Sequence, residues 1–170
     1  MYMRTDTIEN IILHHSHRGM NILREKLPES YCKEAAQDIL SWERGNVLLT
    51  TGFYVAGYAE TDGPVGTVML AKALNRLGYH AVIVTDEYCK GFFEPEKIET
   101  VYMKNSDGET FCADLIEKFK PVGMISIERC GQNTQDDYAN MRGVSIKENT
   151  APVDMLFAKY QGQIPTIGVG

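Results

Sequence analysis

The stretch VLLTTGFYVAGYAETDGPVGTVMLAKALNRLGYHAVIVT, residues 47–85, decides the fold. It opens on an apolar run from Val47 to Thr51, passes through a glycine-containing loop, and takes up helical periodicity from Pro64 to about Leu77. Gly78 stops that helix, and Ala81 to Thr85 is a second apolar, β-branched run. Strand, helix and strand in this order form a crossover unit, which makes the two strands parallel.

Working outward, the alternation continues. A short helical segment is expected near Tyr88 to Phe93, a strand at Glu99 to Met103 and a helix from Glu109 to Lys120. A strand from Val122 to Glu128, a helix from Pro152 to Gln161 and a strand from Ile164 to Val169 complete the pattern. Upstream, residues from about Thr7 to Leu27 read as one helix and Ser30 to Glu43 as another, with Ser30 as its N-cap and Gly45 just past its end. The expected fold is an α/β class, doubly wound, mainly parallel sheet with helices on both faces. The absence of a repeat or Ser/Pro-rich linker in the sequence predicts a single domain over residues 1–170, with leading helices at 1–45 and a β/α core at 46–170.

Composition narrows the function classes. The 170 residues are 44% hydrophobic and 24% charged, and no apolar run approaches the ~18 residues a membrane-spanning helix needs. Asp6 and Glu9 interrupt the start where a secretory signal would be apolar, so a cytoplasmic location is expected. A net charge of -6 with no Lys/Arg cluster repels nucleic acid and anionic membranes, so neither is expected as a partner. Cys32, Cys89, Cys112 and Cys130 lie far apart without zinc-type spacing and read as reduced structural thiols. His14, His15 and His17 lack carboxylate or cysteine companions and read as a solvated helix face; His80 precedes a strand and carries no signal.

In open α/β sheets ligands bind beyond the carboxyl ends of the strands, so the polar residues there are the candidates. Thr51 and Gly52 follow the first strand, and Glu60, Asp62, Gly63, Pro64 and Gly66 open the next helix. Asp86 ends the second strand, and Glu128 and Arg129 end the fourth. The connection from Cys130 to Ala151 carries Tyr138, Asn140 and Arg142, and connections beyond ~12–15 residues are usually functional or disordered. The start of the Pro64 helix resembles an anion site, yet no Lys or Arg occurs between Arg44 and Lys72, so a substrate ammonium or a bridging cation fits better. Asp62 is then either a helix cap or the receiver of that charge. Gly66 lets a ligand or the neighbouring strand come close. The glycines contain no G-x-G-x-x-G, so only Asp86, placed where a ribose-binding acid would sit, speaks for a dinucleotide. Arg129 is either a two-pronged clamp for a carboxylate, with Glu128 moving a proton, or the partner of Glu128 in a structural ion pair.

Taken together, Arg18-Gly19, LLTTGF (48–53), ETDGPVGTVMLAKAL (60–74), VIVTD (82–86), SIERCGQNTQDDYANMRGVSI (126–146), PVDMLF (152–157) and TIGVG (166–170) resemble the C-terminal domain of D-glutamate cyclase and its bacterial stand-alone relatives. The resemblance implies a Rossmann-like domain and the interconversion of D-glutamate and 5-oxo-D-proline, with a small-molecule carboxylate as partner. In that family the GVG normally continues into an acidic glycine-rich block, DGGNE followed by GMG, and a separate N-terminal domain can precede. The resemblance therefore predicts a site incomplete at the C-terminus, in a chain that is either a fragment of a longer protein or a truncated gene product.

The expected activity is that of a lyase. Asp62, Glu128 and Arg129 are the expected catalytic residues, and Thr51, Gly52, Gly63, Gly66, Asp86, Tyr138, Asn140 and Arg142 the substrate-binding ones. Asp62 receives the ammonium or a cation, Glu128 carries the proton, and Arg129 with Arg142 anchors carboxylates. A divalent cation, Mg²⁺ or Mn²⁺, is the alternative to a general acid. Two rival readings stay open: a nucleotide- or small-anion-binding module, and a non-catalytic fragment whose edge strand needs a partner chain. Homo-oligomer formation stays open as well.

Overall fold

Val47, Leu48 and Leu49 have no exposed surface because the strand that carries them, β1 (Asn46–Thr50), is the middle strand of a five-stranded sheet. The computed structural model describes residues 7–16 and 19–170, which fall into two units, 1–42 and 43–170.

In the second unit, β1 is followed by a two-stranded hairpin, β2 (Tyr54–Val55) and β3 (Tyr58–Ala59), and by α4 (Asp62–Arg76). Then come β4 (His80–Asp86), β5 (Glu99–Met103), α5 (Glu109–Phe119), β6 (Gly123–Ile127), α6 (Met155–Tyr160) and β7 (Thr166–Val169). The sheet order is β5-β4-β1-β6-β7, and every neighbouring pair is parallel. In register, Leu48 stands opposite Val82 on one side and Met124 on the other.

Those three side chains face α5 and α6, packing with Val84, Met103, Cys112, Leu115, Phe119 and Leu156. Side chains alternate along a strand, so Leu49, Ile83 and Ile125 face the opposite side, where α4 packs against β4, β6 and β1 and buries Thr67, Ala71 and Leu74. Each such aliphatic side chain removed from water contributes ~1.5–3 kcal/mol, and both faces of the middle strands are covered this way. The structure is thus the doubly wound, Rossmann-like α/β arrangement.

Several boundaries differ from the expected ones. α4 begins at Asp62 rather than Pro64, so Pro64 sits inside the first turn, where its missing N–H costs nothing. The segment near Tyr88 to Phe93 is not one helix but part of a connection with two 3₁₀ turns, Glu87–Cys89 and Glu94–Glu96. α6 starts only at Met155, because Ala151 and Val153 are buried in the core ahead of it. β7 starts at Thr166, two residues later than expected.

In the first unit, α1 (Ile8–Leu13), α2 (Met20–Arg24) and α3 (Tyr31–Ser41) replace the two long helices. Thr7 caps α1 by accepting the Asn10 N–H at 3.3 Å. Gly19, at φ 74°, is the left-handed residue in front of α2, so the Thr7–Leu27 stretch does not run as one helix. His17 and Arg18 lie outside the described residues. Ser30 does occupy the N-cap of α3, without a side-chain cap bond, and the helix ends at Trp42 before Gly45 is reached. The buried Glu9 accepts the Cys32 N–H at 3.0 Å.

Candidate functional site

The chain leaves β1 for α4 on one face of the sheet, whereas β6 leads to α6 on the other. The carboxyl ends of β1 and β6 therefore part, and the crevice between them is the topological switch point where ligands bind in such sheets. Thr51, Gly52, Gly63 and Glu128 border it.

Close packing forms its floor. Gly52, at φ 104°, has no room for a side chain: a Cβ there would stand 2.8 Å from both Cys89 Sγ and Thr85 Oγ1. Gly63 is equally constrained, since its Cβ would come within 2.7 Å of Thr51 Oγ1 and 2.9 Å of the Glu128 Cβ. The first turn of α4 thus lies directly on the ends of β1 and β6. Thr85 Oγ1 donates to the Thr51 carbonyl at 2.7 Å, tying β4 to β1, while the buried Thr51 hydroxyl has no hydrogen-bond partner. Gly66 is exposed, and a Cβ there would stand 3.9 Å from Ile127 Cγ2, an ordinary contact, so β6 does not require a glycine at this position.

Two acidic residues adjoin this floor at Gly63. Asp62 is the first residue of α4 and exposed, and its Oδ1 accepts the Gly63 N–H at 2.8 Å. The N-cap is Thr61, so Asp62 is not the cap itself, although it satisfies one free donor of the first turn. Glu128 is exposed and has a left-handed backbone, φ 47°, with its N–H donating to the Val169 carbonyl at 2.9 Å. A bulky residue in this region costs of order 1–3 kcal/mol and persists only where its surroundings hold it.

Arg129 does something different from either expectation. Its side chain is 2% exposed, and its partner is not Glu128 but Asp86, at 2.6 Å. Nη1 also donates to the Gly52 carbonyl at 2.9 Å and to that of Thr51 at 3.4 Å, and Nη2 donates to Ala151 at 2.5 Å. Asp86 is equally committed: Oδ2 holds Arg129 and Oδ1 accepts the Tyr88 N–H at 3.2 Å. Both the Arg129 guanidinium and the Asp86 carboxylate are buried and engaged by protein groups, and the structural ion pair of Arg129 is made with Asp86 in place of the expected Glu128.

The long connection holds itself together. The buried Tyr138 donates its hydroxyl to Asp154 Oδ1 at 2.6 Å, and Asp154 Oδ2 accepts the Gln132 N–H at 2.9 Å. Asn140 Oδ1 accepts the N–H groups of Arg142 and Val144 at 2.9 and 3.1 Å and so closes a turn. Tyr138 and Asn140 thus hold the loop's structure, whereas Arg142 is exposed. Asp154 was not among the expected residues. Its only sequence signal is its place ahead of a helix, and its partner Tyr138 is set by the fold. The Cys89 thiol is pushed up to about 11 by burial, which leaves it protonated and unreactive at neutral pH.

Among the described residues, no three His, Cys, Asp or Glu side chains come together to hold a metal ion. No described helix is long and apolar enough to cross a membrane.

The family described as D-glutamate cyclase-like, C-terminal, matches residues 8–170. The chain belongs to this family. It is 30% identical over 149 residues to the human (Homo sapiens) protein "D-glutamate cyclase, mitochondrial", a match covering 74% of this chain and 24% of that protein. The chain thus spans about a quarter of that relative's length.

Proposed function

We propose that the crevice between β1 and β6 carries out lyase chemistry of the D-glutamate cyclase type, closing D-glutamate to 5-oxo-D-proline with loss of water. The observation that carries this reading is that two acidic residues meet the same glycine at the switch point: the Cβ of Glu128, on a left-handed backbone at the end of β6, packs against Gly63 in the first turn of α4, and Asp62 accepts the Gly63 N–H. Family membership supplies the substrate class.

The reaction sets the requirements. The α-nitrogen bonds to the γ-carboxyl carbon, one C–O bond of that carboxyl breaks, and the two protons lost by the ammonium leave with the oxygen as water. Glu128, exposed at the crevice, takes a proton from nitrogen and returns it to the departing oxygen. Asp62 receives the ammonium group. The Asp86–Arg129 pair is internally neutral, and the cationic end of the substrate docks at Asp62. Arg142, on the exposed turn closed by Asn140, is the remaining cation of the expected set for a substrate carboxylate. Since nucleophile and electrophile belong to one molecule, holding the folded conformer supplies much of the rate.

The test is 5-oxo-D-proline formation from D-glutamate, followed by chiral chromatography, for the wild-type chain and Glu128→Gln. Losing a general acid–base group lowers turnover about a hundred- to ten-thousandfold. Equal turnover by Glu128→Gln removes Glu128 from the chemistry, and no product from the wild-type chain overturns the proposed activity.

A further inference from the structure

We infer that Arg129 is a positioning residue that holds Glu128 and the crevice floor in one geometry, an assignment that rests on the cyclase reading above for its effect on turnover. One guanidinium ties three parts of the fold: the end of β1 through the Thr51 and Gly52 carbonyls, the end of β4 through Asp86, and the exit of the long connection through Ala151. The acceptors lie 22 to 78 residues away in sequence, so no local structure could bring them together.

Its place in the chain gives the tie its consequence. Glu128 is flanked by Ile127, which is paired with Val169 in the sheet, and by the anchored Arg129, and its own N–H is held by the Val169 carbonyl. The left-handed backbone of Glu128 is thereby fixed from both sides, and with it the direction in which its side chain leaves the main chain. The same Nη1 stands 3.2 Å from where a Gly52 Cβ would be, so floor and tie are fitted to each other. The task needs a planar fork of donors. A lysine ammonium presents its donors at one point and cannot serve Asp86, Gly52 and Ala151 together.

The experiment compares wild type, Arg129→Lys and Asp86→Asn as whole chains, at a temperature where circular dichroism shows all three folded. Asp86→Asn removes the charge that holds Nη1 while nearly keeping the side-chain volume, and it carries the test should Arg129→Lys fail to fold. Amide exchange in peptides covering residues 51–53 and 127–130 is expected to quicken at least about tenfold in the variants, with the α5 peptide, residues 109–119, unchanged. With D-glutamate, kcat is expected to fall by about a hundredfold, the scale of an ångström-sized misplacement, while KM stays within about threefold. A rise in KM with kcat preserved would make Arg129 a ligand clamp and overturn the assignment. Unchanged exchange near Glu128 would overturn it independently of any activity. If the wild-type chain shows no turnover, the cyclase reading fails, and the exchange result still decides whether the tie exists.

Discussion

The two flanks of α4 make opposite use of the same helix. Toward β1 and β6, its first turn lies on buried polar groups, two orphan-tight glycines and a carboxylate with a strained backbone. Toward the connection between β4 and β5, it borders a groove of about 420 Å³ lined by Pro64, Val65, Val68, Met69, Gly91 and Phe92, with Lys72 paired to Glu96. By volume the groove is of ligand size. Its two charged groups, Lys72 and Glu96, are paired with each other, and the rest of the lining is mostly apolar. The groove exists because the β4–β5 connection has two 3₁₀ turns where a crossover helix would otherwise cover α4. Space and the densest polar packing thus lie on different flanks of one helix, and the proposed function uses the second.

The comparison breaks most readily at Asp62. Asn keeps the acceptor that serves the Gly63 N–H, so Asp62→Asn should leave thermal stability unchanged. Binding of D-glutamate, followed by calorimetric titration, should weaken by ~1.5–3 kcal/mol because the charge facing the ammonium is gone. Wild-type affinity would reduce Asp62 to a helix-end residue and leave the crevice flank with one functional carboxylate.

Two glycines of α4 sharpen the contrast through stability alone. Gly63→Ala forces a methyl against Thr51 Oγ1 and Glu128 Cβ, and urea denaturation should show a loss of ~1–3 kcal/mol. Gly66→Ala has open space and ordinary helical backbone, so the same measurement should show a gain of ~0.5–1 kcal/mol from helix propensity. Equal effects at both positions would mean that α4 does not rest on the strand ends as closely as described.

The smallest effect belongs to the groove. Lys72 and Glu96 are both substantially exposed, so Lys72→Met should change stability by less than ~1 kcal/mol. Turnover should match wild type, and a large loss of activity would shift the site to the groove flank.

Much of this was legible in the sequence, for identifiable reasons. β5 was expected at Glu99 to Met103 and lies there, and β1, β4 and β6 were expected within about a residue at each end, because apolar runs bounded by turn residues report burial directly. The hairpin β2–β3 was missed. Its turn puts Ala56 at φ 48° and Gly57 at φ 100°, and alanine is a poor signal for a left-handed position. The break between α1 and α2 was missed as well, since a lone glycine inside a helical pattern is ambiguous until tertiary contacts choose.

For the site, the doubly wound pattern was enough to bring Gly52, Gly63, Asp86 and Glu128 to one edge of the sheet, as strand polarity alone dictates which ends converge. The identity of the partners was not contained in that pattern. Glu128 and Arg129 are neighbours in sequence, yet one stays exposed and the other is buried against an aspartate 43 residues upstream. Local periodicity reports which residues avoid water and which strands run parallel. Which acceptor meets a buried guanidinium depends on where the ends of three strands come to rest, a long-range distance that only the packed sheet determines.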